Sequence, residues 1–201
     1  MIGIVDYGMG NLESVRKALA TVGFDSQWIR QPADFAACDR IVLPGVGAFG
    51  HAMDNLRRSG LIEPLHNAID ETRPFLGICL GLQILFDTSV EHGMHRGLGL
   101  VAGCVRQLPE TVRVPHVWWN TVCQPRASRL FEDIPDSSYF YFVQSYYVEP
   151  AKPSVVAGTT DYGVSFAAAI ERGNLFGVQF HPEKSQQAGL QLLANFGRIP
   201  C

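Results

Sequence analysis

Pro74-Phe75-Leu76-Gly77-Ile78-Cys79-Leu80-Gly81-Leu82-Gln83-Ile84-Leu85-Phe86 reads as a buried strand, a tight turn and the start of a helix, in that order. Its centre has the form Gly-x-Cys-x-Gly. Glycines two residues to either side let the backbone turn sharply and present Cys79 at the tip. Strand, turn, nucleophile, helix is the nucleophile-elbow arrangement, here with a thiol. The partial positive charge of a helix N-terminus favours a thiolate at such a position. A single cysteine is more often an inert core residue, so the assignment of Cys79 as a nucleophile needs support from elsewhere in the chain.

A base for the thiol is expected near the C-terminus, in Leu175-Phe176-Gly177-Val178-Gln179-Phe180-His181-Pro182-Glu183-Lys184. Residues 175–180 read as a strand, and His181 and Glu183 follow it two residues apart. Pro182 between them biases His181 to extended backbone. In extended chain, side chains at i and i+2 share a side. Glu183 is then able to hold the His181 imidazole for proton transfer, which completes the nucleophile, base and orienting group.

Acyl transfer also needs donors for an oxyanion. The N–H of Leu80, just after the nucleophile, supplies one. The loop Pro44-Gly45-Val46-Gly47, after the short apolar strand 41–43, is the expected source of another from Val46 or Gly47. This loop does not bind phosphate in the Gly-x-x-x-x-Gly-Lys manner, because no lysine follows. Gly8-Met9-Gly10 lacks the third glycine of a dinucleotide loop, since position 13 is Glu. His92 and His95 fall in a glycine-rich loop and are read as surface residues. The five cysteines show no Cys-x-x-Cys spacing, so no metal site or redox pair is expected.

The rest of the chain agrees with an α/β enzyme. Strands are expected at 2–6, 25–30, 41–43 and 74–78, and helices at 11–22, 51–70, 80–88 and 186–197. This alternation predicts a mostly parallel sheet flanked by helices. Residues 98–180 turn β-rich, with 139–148 as the clearest strand. The 201 residues are expected to form a single domain. Apolar residues make up 47% and charged residues 17%, and the net charge of -3 offers no basic footprint for nucleic acid. Met1 leads directly into a strand without a signal peptide, and no apolar run is long enough to span a bilayer. The cysteine usage suits a reducing cytoplasm.

Taken together, these segments resemble the class I glutamine amidotransferases, whose fold is flavodoxin-like. Within that class they are similar to the glutaminase subunits of imidazole glycerol phosphate synthase. The resemblance is carried by Ile4-Val5-Asp6-Tyr7-Gly8-Met9-Gly10-Asn11-Leu12, Pro44-Gly45-Val46-Gly47, Gly77-Ile78-Cys79-Leu80-Gly81, Pro115-His116, Trp119-Asn120 and Gln179-Phe180-His181-Pro182-Glu183-Lys184-Ser185. It implies a Cys79, His181, Glu183 triad that hydrolyses L-glutamine to glutamate and ammonia without a cofactor. It further implies that Gly45, Gln83, Glu91 and the backbone of Ser145 and Tyr146 hold the substrate, with Glu91 on its α-amino group. Asn11, Trp118, Trp119, Tyr141 and Lys184 would face a (β/α)8-barrel cyclase in a heterodimer. The cyclase would use the ammonia to make imidazole glycerol phosphate and AICAR in histidine biosynthesis.

Two positions depart from the family pattern. Trp118 stands where the family usually has glycine, and Gln144 stands where it commonly has histidine. They leave open a divergent copy feeding another synthase, such as one that aminates a sugar for surface polysaccharide. A catalytically silent regulatory subunit is the other alternative, and the intact Cys79, His181 and Glu183 argue against it. Free ammonia is protonated near neutral pH and diffuses away, so low glutaminase activity is expected without the partner. An oxyanion hole left incomplete by the Pro44–Gly47 loop would account for this.

Overall fold

The computed structural model describes residues 1–201. The short apolar runs of the first half become strands β1 (Ile2–Val5), β2 (Ser26–Ile29), β3 (Arg40–Gly45) and β4 (Phe75–Cys79). The second half adds β5 (Phe86–Ser89), β6 (His95–Arg96), β7 (Val101–Gln107), β8 (His116–Val122), β9 (Ser138–Gln144), β10 (Tyr146–Pro150), β11 (Val156–Asp161), β12 (Ser165–Arg172) and β13 (Leu175–Val178). Five helices accompany them: α1 (Leu12–Thr21), α2 (Phe49–Arg58), α3 (Ile62–Asp70), a single turn α4 (Leu80–Gln83) and α5 (Gln186–Arg198).

One 11-stranded sheet runs β2-β1-β3-β4-β13-β12-β10-β7-β5-β6, with β11 against β12. Its first five strands, β2 to β13, are all parallel, as the alternating pattern requires. Beyond β13 the pairings of β12, β10 and β7 are antiparallel. Both faces of the parallel part are buried. Ile41 and Leu43 face one core with Phe49, Met53, Leu56 and Leu65 of α2 and α3. Val42, Leu76 and Ile78 face the other, with Val15 and Leu19 of α1 and Leu192, Leu193 and Phe196 of α5. Such two-sided burial explains why these strands read as continuous apolar runs rather than alternating ones.

Three expectations are corrected. The helix read over 51–70 is two helices, α2 and α3, broken at Gly60, whose φ of +68° suits glycine. The helix read over 80–88 is only the turn α4, and Phe86 already opens β5. A short apolar run cannot be assigned by periodicity, and the β-branched Thr88 and the strand's pairing with β7 decide for strand. The single strand read over 139–148 is β9 and β10, separated at Ser145. Strand β9 pairs only with β8 in a two-stranded ribbon, while β10 joins the main sheet. This break brings Gln144, Ser145 and Tyr146 to the cavity described next.

Candidate active site

Cys79 ends β4 and caps α4 with φ 55° and ψ -109°. An L-residue held there costs about 1–3 kcal/mol, a strain that persists only where its surroundings enforce it. The surroundings are the two glycines of the motif. A Cβ on Gly77 would lie 2.6 Å from the Gly81 carbonyl oxygen, and one on Gly81 would lie 1.8 Å from the Leu43 carbonyl oxygen. Backbone therefore packs directly on backbone, and the turn closes at Cys79. Leu80 is the first residue of α4, so its N–H has no partner within the helix.

The elbow opens onto a cavity of about 250 Å³ at the C-terminal ends of β3, β4 and β13. This is where α/β sheets bind ligands. Val46, Gly47, Cys79, Leu80, Gln83, Glu91, Ser145, Tyr146, His181 and Lys184 line it, together with Pro115, Val143 and Gln144. Gly45 is not among the lining residues. It lies opposite Cys79 in the β3–β4 register, where a Cβ would come within 2.6 Å of the Tyr7 hydroxyl and 2.9 Å of Leu80 Cβ. The absence of a side chain lets β3 and the elbow approach. The buried Tyr7 hydroxyl donates to the Pro44 carbonyl at 3.0 Å and so ties β3 down beside the Val46–Gly47 segment.

His181 and Glu183 meet as expected, with His181 Nδ1 2.8 Å from Glu183 Oε1 and both side chains buried. The route differs from the expected extended strand. His181 itself is extended, but Pro182–Lys184 form a 3-10 turn that curls the carboxylate back onto the ring. Burial pushes the His181 imidazolium toward the neutral form. The Cys79 sulfur and the Glu183 carboxylate outweigh this and hold its pKa up to about 10. With Nδ1 engaged by Glu183, Nε2 is the nitrogen left to exchange protons with Cys79.

The residues expected to face the substrate carry defined partners. Glu91 Oε2 accepts the Phe49 N–H at 2.6 Å, at the N-terminus of α2, which fixes the carboxylate in the cavity wall. Gln83 Nε2 donates to Tyr146 O and to Gln179 Oε1, both at 3.1 Å, so its Oε1 is the end left for a ligand. Gln144 is buried in the wall, with Nε2 on Tyr146 O at 3.3 Å and Oε1 without a partner.

Of the residues expected at a partner surface, Lys184 lines the cavity rim. Asn11, Trp118, Trp119 and Tyr141 lie outside the cavity lining. Trp119 and Tyr141 are register partners on the β8–β9 ribbon and pack edge to face at 5.8 Å. Trp118 is 70% exposed on the same ribbon, in register with Phe142 and so on the face opposite the exposed Val117 and Tyr139. The ribbon is joined to the triad segment: Tyr141 O accepts the His181 N–H at 2.9 Å, and Tyr141 N donates to Ser185 Oγ at 3.0 Å.

Gln179 has no role assigned from the sequence, yet it touches Cys79. Its side chain is fully buried, and Nε2 donates to Cys79 Sγ at 3.7 Å. Gln179 stands two residues before His181, but β13 ends at Val178 and the chain bends at 179–180, so strand alternation does not announce the contact. Val143 was missed as well. Its carbonyl accepts the Cys79 thiol at 3.8 Å, a backbone contact that no side-chain pattern announces.

A strained cysteine elbow, a carboxylate-held histidine and flanking backbone donors at the strand ends define a class, and the chain belongs to it: the glutamine amidotransferase class-I family, whose model matches residues 3–199. Within that class it groups with the HisH subunits of imidazole glycerol phosphate synthase. It is 52% identical to "Imidazole glycerol phosphate synthase subunit HisH" of Desulfitobacterium hafniense, over 98% of this chain and 94% of that one. The same identity and coverage hold for the HisH subunit of Moorella thermoacetica. Among solved structures, PurLQS from Thermotoga maritima superposes with a TM-score of 0.78, covering 97% of this chain and 96% of that one; at 18% identity this speaks for the fold alone.

Proposed function

We propose that Cys79, His181 and Glu183 hydrolyse L-glutamine to glutamate and ammonia for a partner cyclase. The chain is the glutaminase subunit of an imidazole glycerol phosphate synthase and serves histidine biosynthesis. The observation that carries the chemistry is the shared cavity of the Cys79 elbow and a His181 ring held at 2.8 Å by Glu183. The Cys79 thiolate attacks the carboxamide carbon, forming the C–S bond. The carbonyl oxygen becomes an oxyanion received by the Leu80 N–H and by backbone N–H groups of Val46 and Gly47. The His181 imidazolium gives its proton to the amide nitrogen, the C–N bond breaks and ammonia leaves. Neutral His181 then takes a proton from water, which attacks the thioester and releases glutamate, and the thiol is restored. Glu91 and the free Oε1 of Gln83 accept the substrate's ammonium group, and Ser145 and Tyr146 present backbone to its other end.

The partner is a (β/α)8-barrel cyclase, and the complex works in the cytoplasm. No helix of the chain is long and apolar enough to cross a membrane. The face of the ribbon that carries Val117, Trp119, Tyr139 and Tyr141, with Asn11 and Lys184, forms the docking surface, and Trp118 projects from the other face, in register with Phe142. The ribbon's tie to the His181–Ser185 segment supports this reading, because docking on the ribbon would be felt at the triad. The HisH relatives favour the histidine-pathway partner over a sugar-aminating synthase. Transfer within the complex is tested with amide-15N glutamine and an excess of unlabelled ammonium. The product is expected to carry 15N well above its share of the bulk ammonia pool. Dilution to the bulk ratio would contradict transfer inside the complex.

A further inference from the structure

We propose that Gln179 is a positioning residue for the reaction: its amide N–H donates to Cys79 Sγ, favours the thiolate and fixes the direction of the sulfur. The inference rests on the reading of Cys79 as nucleophile. Its strength lies in how completely the orientation of the amide is determined. An amide's oxygen and nitrogen ends are told apart only by their partners, and here the partners form a chain anchored on a backbone carbonyl. Tyr146 O can only accept. The Gln83 side chain therefore turns its nitrogen toward Tyr146, at 3.1 Å. The same nitrogen lies 3.1 Å from Gln179, so the Gln179 atom that meets it is the oxygen. The other end of the Gln179 amide, the nitrogen, is left 3.7 Å from Cys79 Sγ.

The environment makes this contact matter. Gln179 is 0% exposed and Cys79 is 6% exposed, so little water competes for the sulfur. A donor in such a site is worth more than in water. The backbone of Gln179 is fixed as well, by its N–H on Ala168 O at 2.8 Å. A neutral amide also leaves the proton transfer to His181. A lysine in its place would hold the thiolate too, but would compete with His181 as the proton donor. The Val143 carbonyl accepts from the thiol form and has nothing to offer the thiolate. Gln179 is thus the contact that gains strength as the thiol ionises, while the Val143 carbonyl loses its donor.

The test is the pH profile of iodoacetamide alkylation at Cys79, read by peptide mass mapping so that Cys123 and Cys201 are counted apart. Gln179→Met keeps the side-chain length and apolar stem but removes the donor to Cys79, and with it the acceptor of Gln83 Nε2, which keeps its bond to Tyr146 O. Its profile is expected to move about one pH unit upward, which slows alkylation about tenfold at a fixed pH below the plateau. In the assembled synthase, kcat for glutamine should fall, and ammonia-driven synthesis should stay at the wild-type rate. If methionine does not fold at this buried site, Gln179→Asn is read instead. Asparagine retains an amide that is too short to bridge Gln83 and Cys79, and the same shift is expected. A Gln179→Met profile superimposed on wild type would overturn the proposal while leaving Cys79 as the nucleophile. Turnover retained by Cys79→Ala would instead remove the reading on which it rests.

Discussion

Cys79→Ala is expected to lower glutamine-dependent synthesis by the assembled synthase about 10⁴-fold or more, as removal of a covalent nucleophile does. Synthesis driven by added ammonium should remain at the wild-type rate. The first expectation follows from the absence of any second nucleophile in the cavity. The other cysteines lie outside its lining, and the Ser145 position faces the cavity without a base. The second follows from the division of labour between the subunits, since ammonia from solution bypasses the cavity. Alanine fits the site, because a side chain already occupies the φ 55° position and only the sulfur is removed. Product formation with each nitrogen source, measured on the same preparation, checks both halves. Glutamine-dependent turnover within tenfold of wild type would contradict the assignment of Cys79.

Gly81→Ala should be as damaging, for a different reason. The added Cβ would sit 1.8 Å from the Leu43 carbonyl oxygen and 2.9 Å from its carbon. Both atoms are backbone in the middle of the parallel sheet, so no flexible side chain can give way. The α4 turn must lift from β3, taking the Leu80 N–H and the strained Cys79 with it. Overpacking of this kind costs about 3 kcal/mol or more, at the upper end of what single substitutions do. A urea unfolding curve measures the loss, and glutaminase turnover should fall with it. A midpoint equal to wild type with full activity would show that the elbow does not depend on this contact. Gly77 stands in the same relation to the Gly81 carbonyl, so the motif's two glycines act as a pair.

Much of the site could be read from residue order because its parts are local. Gly77 and Gly81 are needed by a turn five residues long, and His181-Pro182-Glu183 brings base and orienter together within three residues. The parallel part of the sheet was equally legible, since strands buried on both faces are written as unbroken apolar runs. What the sequence concealed depends on contacts across the fold. The helix expected over 80–88 ends after one turn because Phe86–Ser89 pairs with Val101–Gln107, a partner that local pattern does not reveal. The break at Ser145 has the same origin: the strands before and after it belong to different sheets. Gly45 makes room between Tyr7 and Leu80, a packing role that only tertiary structure displays. Gln179 was hidden by its ordinariness, as a polar residue in an apolar run whose partner lies 100 positions away.

The covalent step can be observed directly. Wild-type complex mixed with glutamine and quenched in acid within one turnover should carry a γ-glutamyl group. Mapping should place that group as a thioester on the peptide containing Cys79, and it should be absent from Cys79→Ala. A glutamyl group on any other residue, or turnover at the wild-type rate with no acyl-enzyme trapped at any quench time, would contradict nucleophilic catalysis by Cys79.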